Sequence, residues 1–335
     1  MKLIIQIPCF NEEASLPATL RALPRRIPGI DQIEVLVIDD GSTDHTSKEA
    51  RDFGVDHILE LGHHQGLGWA FRAGLEACVQ LGADVIVNTD GDNQYRGEDI
   101  EALIQPILRR QADLVIGARD VDSIEYFSSL KKWLQKLGSW VVRRASGRAV
   151  PDTTSGFRAL NREAALRTII YSKFSYTLET VIQSGHTPLK VATVPVRVND
   201  KLRESRLAGS TWQYLKRSTA TILRIYAMYN PLQVFFFIGG TSILLGFLLG
   251  LRYLYLYLTA AASGHIQSLI LSAILVIVGF QVMVIGLVAD LIAANRRLNE
   301  DILYRVRKME LARQKTSSAV ATEATAKASS VRSRL

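Results

Sequence analysis

The chain is 335 residues long, 48% hydrophobic and 21% charged, with a formal net charge of +8. That mixture fits a soluble globular part joined to an apolar one, and 335 residues allow one large domain or two ordinary ones. Two cysteines, Cys9 and Cys78, exclude a disulfide framework or a cysteine-based metal site.

In chain order, the first segment is a short apolar run ending at Pro8 that lacks a small-residue cleavage site. It reads as a buried strand and not a signal peptide, so the first 230 residues are expected to stay on the side where they are made. Leu3–Pro8, Glu34–Asp39, Asp84–Thr89 and Asp113–Gly117 are short runs rich in Ile and Val. Between them lie the amphipathic stretches Glu13–Leu23, Thr43–Phe53, Gly66–Leu81 and Gly97–Arg110. Apolar strands alternating with helices imply an α/β fold with a mostly parallel sheet covered on both faces. Such sheets bind ligands at the carboxyl ends of their strands. Polar groups stand at those ends: Asn11-Glu12, Asp39-Asp40-Gly41-Ser42 and Asp90-Gly91-Asp92.

From Leu130 to Asn199 the pattern loosens into helices and a last strand, Leu189–Val198. Residues 207–230 read as juxtamembrane amphipathic helices carrying Lys216, Arg217 and Arg224. Val234–Leu251 is then 18 uncharged residues and Ile266–Ala289 is 24, and about 20 suffice to cross the hydrocarbon core. Tyr253, Tyr255 and Tyr257 suit an interface. The connector, Thr259 to His265, has no Lys or Arg, whereas Arg296, Arg297, Arg305, Arg307 and Lys308 follow the second stretch. The positive-inside rule places both termini in the cytoplasm of a two-span protein at the inner or plasma membrane. Basic residues crowding beside the spans point to a lipid bilayer and not to nucleic acid. The expected division is a domain at 1–206, juxtamembrane helices at 207–230, spans at 231–258 and 266–294, and a basic tail at 295–335, disordered after Lys315.

Asp90-Gly91-Asp92 carries the chemistry. Two carboxylates one residue apart, on a loop leaving a buried strand, converge on one side of space. Hard oxygens suit Mg²⁺ or Mn²⁺, and Gln94 adds a neutral one. A solvated turn is the plain alternative, since Asp and Gly are turn formers. In Asp39-Asp40-Gly41-Ser42-Thr43-Asp44, Ser42 or Thr43 can cap a helix, while the two acids can receive donors from a base and a ribose. Gly66-Leu67-Gly68 lacks the third glycine of a dinucleotide fingerprint, which argues against an oxidoreductase. Glu179 is either a base beside the donor or an exposed helix carboxylate. Lys131 and Lys132 read as solvated helix charge or as part of a phosphate site, and His63 and His64 as loop residues.

Taken in order, Ile7-Pro8-Cys9-Phe10-Asn11-Glu12-Glu13, Val37 to Asp44, Gly66-Leu67-Gly68, Asp90 to Gln94, Gly117-Ala118-Arg119 and Thr154-Ser155-Gly156-Phe157-Arg158 resemble glycosyltransferase family 2. Within it they are similar to the dolichol-phosphate mannose synthase and bacterial polyprenyl-phosphate glycosyltransferase branch. The resemblance covers residues 1–210 and implies a Rossmann-like GT-A fold. It implies that Pro8, Phe10, Asn11, Glu12, Asp39 and Asp40, with Gly68, hold the nucleoside. Asp90, Asp92 and Gln94 match the Mg²⁺ or Mn²⁺ and diphosphate site, and Arg119 a basic residue near the phosphates. Lys201, Arg203 and Arg206, after Val194-Pro195-Val196, are similar to the segment gathering acceptor and donor phosphates, though Arg203 lies near an expected glycine and Arg206 replaces lysine. They read equally as a juxtamembrane basic cluster. The implied reaction moves one sugar, with inversion, from a GDP- or UDP-sugar to an undecaprenyl or dolichyl phosphate. A polysaccharide synthase of the same family is the alternative, without its Gln-x-x-Arg-Trp motif here, as is a non-catalytic nucleotide-sugar-binding scaffold. Self-association is left open.

Overall fold

A computed structural model of the chain describes residues 1–119, 142–143, 146–147, 150–171, 176–199, 226–227, 229–259 and 266–332, with side chains as far as 313. Strand β1 (Lys2–Cys9) buries every side chain from Leu3 to Cys9, as a central strand covered on both faces must. There follow α1 (Leu16–Ala22), β2 (Gln32–Asp39), α2 (Thr46–Phe53), β3 (His57–Glu60), α3 (Leu67–Gln80), β4 (Val85–Asn88), α4 (Asp99–Leu108), β5 (Leu114–Arg119), β6 (Arg158–Asn161), α5 (Arg162–Arg167), α6 (Thr177–Gly185) and β7 (Val191–Val196). The seven strands form one sheet in the order β3-β2-β1-β4-β6-β5-β7. Every pairing is parallel except those of β6, which runs antiparallel between β4 and β5. The expected mostly parallel α/β sheet is present.

Register decides where the loops emerge. Cys9 pairs with Asp39, Gln6 with Asn88, and Asn88 with Arg158. The carboxyl ends of β1, β2 and β4 therefore share one edge, and the antiparallel β6 starts at that edge. The core beneath is built from Leu3, Ile5, Ile7, Val37, Val85, Val87, Leu103 and Phe157, among others.

Two strands were not expected. β3 is His-Ile-Leu-Glu, with only two apolar residues, and β6 is Arg-Ala-Leu-Asn, opening on an arginine. Neither shows the apolar run that marks a buried strand. The last strand is shorter than Leu189–Val198, and its Pro195 is tolerated because β7 pairs on one side only.

The chain divides into two compact units. One holds the sheet together with residues from Asp301 onward; the other is Leu223–Glu300. In the second, α7 (Pro231–Leu258) and the first part of α8 (Ile266–Arg332) are long and apolar enough to cross a membrane. Only 11% and 17% of their most apolar windows is buried inside the protein, which argues against core helices. They meet through small residues. A methyl added at Gly239 would come within 2.6 Å of the Gly279 carbonyl oxygen. Ser272 Oγ donates to Gly246 O at 2.6 Å, and Ser242 Oγ to Leu275 O at 2.9 Å, as membrane helix pairs do.

Beyond its apolar part α8 continues to Arg332, through a segment without Gly or Pro and rich in Ala, the strongest helix former. From Asp301 onward the helix belongs to the sheet unit. Tyr304 donates to Glu163 at 2.8 Å beneath the Arg167 guanidinium, and Arg307 pairs with Glu76 at 2.7 Å. The expected juxtamembrane helices fall outside the described residues apart from Tyr226, Ala227, Tyr229 and Asn230.

Candidate active site

The β1 and β2 exits are tied together. Asn11 adopts φ 56°, a left-handed conformation that asparagine tolerates, and its N–H donates to Ser42 Oγ at 2.9 Å. Its Oδ1 accepts from Thr43 N at 2.8 Å, and Glu12 N donates to Thr46 Oγ1 at 2.8 Å. Asp39 accepts from Ser42 N at 2.8 Å and from Ser47 Oγ. Asp40 accepts from Gln65 N and Gly66 N, both at 2.8 Å, and pairs with His64 Nδ1 at 2.9 Å. Both acids thus hold the loops in shape, with carboxylate lone pairs to spare for a ligand's donors. Gly41, at φ 72°, permits this closeness, because a Cβ there would stand 2.6 Å from the His63–His64 backbone. The loop brings the His64 ring onto Phe10, centroids 3.9 Å apart. Pro8 lies buried in β1, and Gly68 in the first turn of α3.

Asp90 and Asp92 leave β4 in the middle of this edge. Gln94 N donates to Asp92 Oδ1 at 3.1 Å, and Asn199 secures the loop by donating to Gln94 O at 2.8 Å and Asn93 O at 3.0 Å. The Asp90 carboxylate lies over Gly156, where an added Cβ would be 2.8 Å from Asp90 Oδ2 and from Tyr176 Oη. Burial pushes the Asp90 carboxyl up, and Asp92 pushes it further. A desolvated carboxylate with a second one beside it forms a site that favours a cation. Asn93 Oδ1, buried and without a hydrogen bond, adds a hard oxygen beside them. Among the described residues no group of three or more His, Cys, Asp or Glu could hold a metal alone. The Asp90 and Asp92 carboxylates suit an ion such as Mg²⁺, which takes one or two carboxylates and completes its shell with phosphate and water.

Behind the acids lies a scaffold of buried polar groups, of which the sequence assigns a role to Arg119 alone. Arg119 forks onto Asp152, Nε to Oδ2 at 2.7 Å and Nη2 to Oδ1 at 3.2 Å, and reaches Thr154 Oγ1 at 2.9 Å. Burial pushes the Asp152 carboxyl up, but Arg119 more than reverses this and leaves it below the usual carboxylate range. Arg158 is fully buried and donates to the carbonyls of Ser155 at 2.9 Å, Thr153 at 3.2 Å and Thr177 at 2.8 Å, and to Thr180 Oγ1. Burial lowers its pKa to about 10. Gln6 donates to Asn88 at 2.9 Å; Asn88 donates to Gly156 O at 2.9 Å and to Tyr176 Oη at 2.7 Å. These groups fix the Thr154–Phe157 loop against Asp90. Polar residues inside apolar strands, Gln6 and Asn88, were the available signal. Glu179, read as a base beside the donor or an exposed helix carboxylate, is not exposed: it is 1% exposed, lies in the first turn of α6 and accepts from Tyr171 N at 3.0 Å. Lys131, Lys132, Lys201, Arg203 and Arg206 lie outside the described residues.

A mostly parallel sheet bearing paired acids at its carboxyl edge defines a GT-A-like protein. Its fold is shared with glucosyl-3-phosphoglycerate synthase from Mycobacterium tuberculosis, solved with Mn²⁺, UDP and glucosyl-3-phosphoglycerate, at TM-score 0.52 and 21% identity over 68% of this chain and 80% of that one. Residues 4–168 match glycosyl transferase family 2. An undecaprenyl-phosphate mannosyltransferase from Micrococcus luteus is 33% identical over 222 residues, 62% of this chain and 88% of the relative. An undecaprenyl-phosphate 4-deoxy-4-formamido-L-arabinose transferase from Pseudomonas paraeruginosa is 26% identical over 316 residues, 90% and 87% of the two chains. The chain belongs to glycosyltransferase family 2.

Proposed function

We propose that the chain transfers one sugar from a nucleoside diphosphate sugar to a polyprenyl phosphate at the cytoplasmic membrane face, with inversion at the anomeric carbon. The observation that carries this reading is the Asp90–Asp92 pair, held at the carboxyl edge of the sheet with burial and mutual repulsion both favouring a cation. The likeness to an undecaprenyl-phosphate sugar transferase runs over 90% of the chain, so it takes in the apolar helices. The basic residues flanking α7 and α8 support a cytoplasmic head and two spans.

In this reading Phe10, Asn11, Glu12, Asp39 and Asp40, with Pro8 and Gly68, line the nucleoside site. Asp90, Asp92 and Gln94 hold Mg²⁺ or Mn²⁺, which when bound neutralises charge on the leaving diphosphate. Arg119, oriented by Asp152, contributes fixed positive charge near the phosphates. Lys201, Arg203 and Arg206 gather the acceptor phosphate. A phosphate monoester, with its second pKa at ~6, is already mostly a dianion at neutral pH. It attacks the anomeric carbon without a general base, the sugar–diphosphate bond breaks, and the nucleoside diphosphate departs. That the buried Glu179 is engaged with the Tyr171 backbone is in keeping with a site needing no base.

The test is incubation of the purified chain with radiolabelled nucleotide sugars, polyprenyl phosphate and Mg²⁺ or Mn²⁺. Label should enter the organic phase with one sugar and stop on chelation. Label that forms a polymer, or that transfers equally well in excess chelator, refutes the reading.

A further inference from the structure

The Leu223–Glu300 unit contains a cavity of about 300 Å³ lined by Ala227, Pro231, Ala289, Ile292, Ala293 and Arg296. Five of these six residues are apolar and the sixth is a cation. All three side-chain nitrogens of Arg296 are buried and make no hydrogen bond. The guanidinium stacks over the Tyr229 ring at 4.1 Å. The Glu300 carboxylate lies 3.3 Å from Nε but outside hydrogen-bond geometry, so it offsets charge without satisfying the donors. Buried donors without acceptors are rare in proteins and mark a place where a ligand or ion belongs.

The chemistry narrows that ligand. A guanidinium fork matches phosphate oxygens pairwise, and a phosphomonoester leaves three of its oxygens free to accept. The apolar walls offer nothing to a free phosphate and suit a hydrocarbon chain. Placement agrees: Pro231 opens α7, and Ala289 to Arg296 follow the apolar stretch of α8, at the basic-flanked end of both helices. This is the level at which lipid headgroups meet spanning helices.

We propose that this cavity is a holding site for a single-chain lipid monophosphate, with the phosphate on Arg296 and the start of the tail among Ala289, Ile292 and Ala293. The proposal rests on the acceptor class and the membrane reading given above. It adds a second phosphate contact, remote in sequence from Lys201, Arg203 and Arg206, at which the acceptor waits in the spans. Glu300 competes with the ligand for Arg296, so the site fills only when a better acceptor than a misaligned carboxylate arrives.

The experiment is native mass spectrometry of the full chain in detergent, titrated separately with polyprenyl monophosphate, phosphatidylglycerol and inorganic phosphate. Wild type should retain polyprenyl monophosphate in preference to the other two. R296Q should weaken retention about tenfold, the loss of one charge-assisted contact. A293F, which fills the cavity and leaves the arginine in place, should weaken it likewise, and E300Q should tighten it. Wild-type retention by R296Q and A293F overturns the site, as does phosphatidylglycerol or inorganic phosphate binding as well as the polyprenyl lipid. The failures separate cleanly. A chain that binds the lipid through Arg296 and transfers no sugar refutes the transferase reading alone. A chain that transfers sugar while R296Q binds lipid normally refutes this site alone.

Discussion

The sheet unit and the unit of two long apolar helices are specified by opposite means. At the carboxyl edge of the sheet, buried polar side chains select one arrangement: Gln6, Asn88, Tyr176, Arg158 and Asp152 are each bonded to named partners. In the Leu223–Glu300 unit the two apolar helices approach through glycines at 239, 246 and 279, with the Ser242 and Ser272 hydroxyls bonded across their interface. Water-excluded polar networks carry large penalties when one member is lost, because the partner is left unsatisfied. Small-residue packing in lipid lacks that penalty, since backbone groups are already paired within each helix. Substitutions in the first region should therefore act on chemistry and stability at once, and those in the second only weakly.

The largest effect is expected from D92N. It removes half of the cation-attracting charge without changing shape, so transfer should fall by a factor of about a thousand or more. Expression and thermal stability should hold, because the side chain accepts from Gln94 N, a bond that an amide oxygen still makes. Turnover near wild type removes Asp92 from the mechanism. Next comes G156A. The new methyl would meet the Asp90 carboxylate and the Tyr176 hydroxyl at 2.8 Å. Tyr176 is held by Asn88, so Asp90 must shift, and a displacement of this kind should lower kcat about a hundredfold. Steady-state kinetics with the circular-dichroism spectrum unchanged is the check; normal kcat would show that the loop yields instead.

A third substitution addresses stability within the same network. Removing one partner of a buried pair costs about 3–5 kcal/mol, which is the loss expected for D152N at neutral pH. Since Arg119 holds the folded Asp152 carboxyl below its ordinary range, the pair contributes fully above the unfolded aspartate value and fades as pH falls through the folded one. The gap between wild type and D152N in thermal unfolding should therefore begin to narrow below pH ~4 and close only below the lowered folded value. A gap independent of pH would mean that Asp152 acts through packing.

This network also shows what sequence alone could and could not reveal. Strands β1, β2, β4 and β5 are legible because burial on both faces demands unbroken Ile and Val runs. Asp39, Asp40, Asp90 and Asp92 are legible because acids at strand ends have no core role. Asp152 and Arg158 were not, because their meaning depends on β6 entering the sheet antiparallel, a long-range event with no local signature. The Tyr304 and Arg307 contacts with Glu163 and Glu76 join residues 141 and 231 positions apart, and only the folded chain reveals them.

The smallest effect tests the other half of the contrast. Ser272 is buried and donates to the Gly246 carbonyl at 2.6 Å, so in a water-soluble core its loss would be felt. Gly246 O already has a helical partner, however, and alanine fills nearly the same volume among the glycines. Interhelical hydrogen bonds in bilayers average about 0.6 kcal/mol, so S272A should shift unfolding in lipid by no more than that and leave transfer intact. G239L is the complementary probe, because its side chain must enter space occupied by Met283 and the Gly279 carbonyl. If S272A were as damaging as D152N, the hairpin would be held by polar specificity after all, and the division drawn between the two regions would fail.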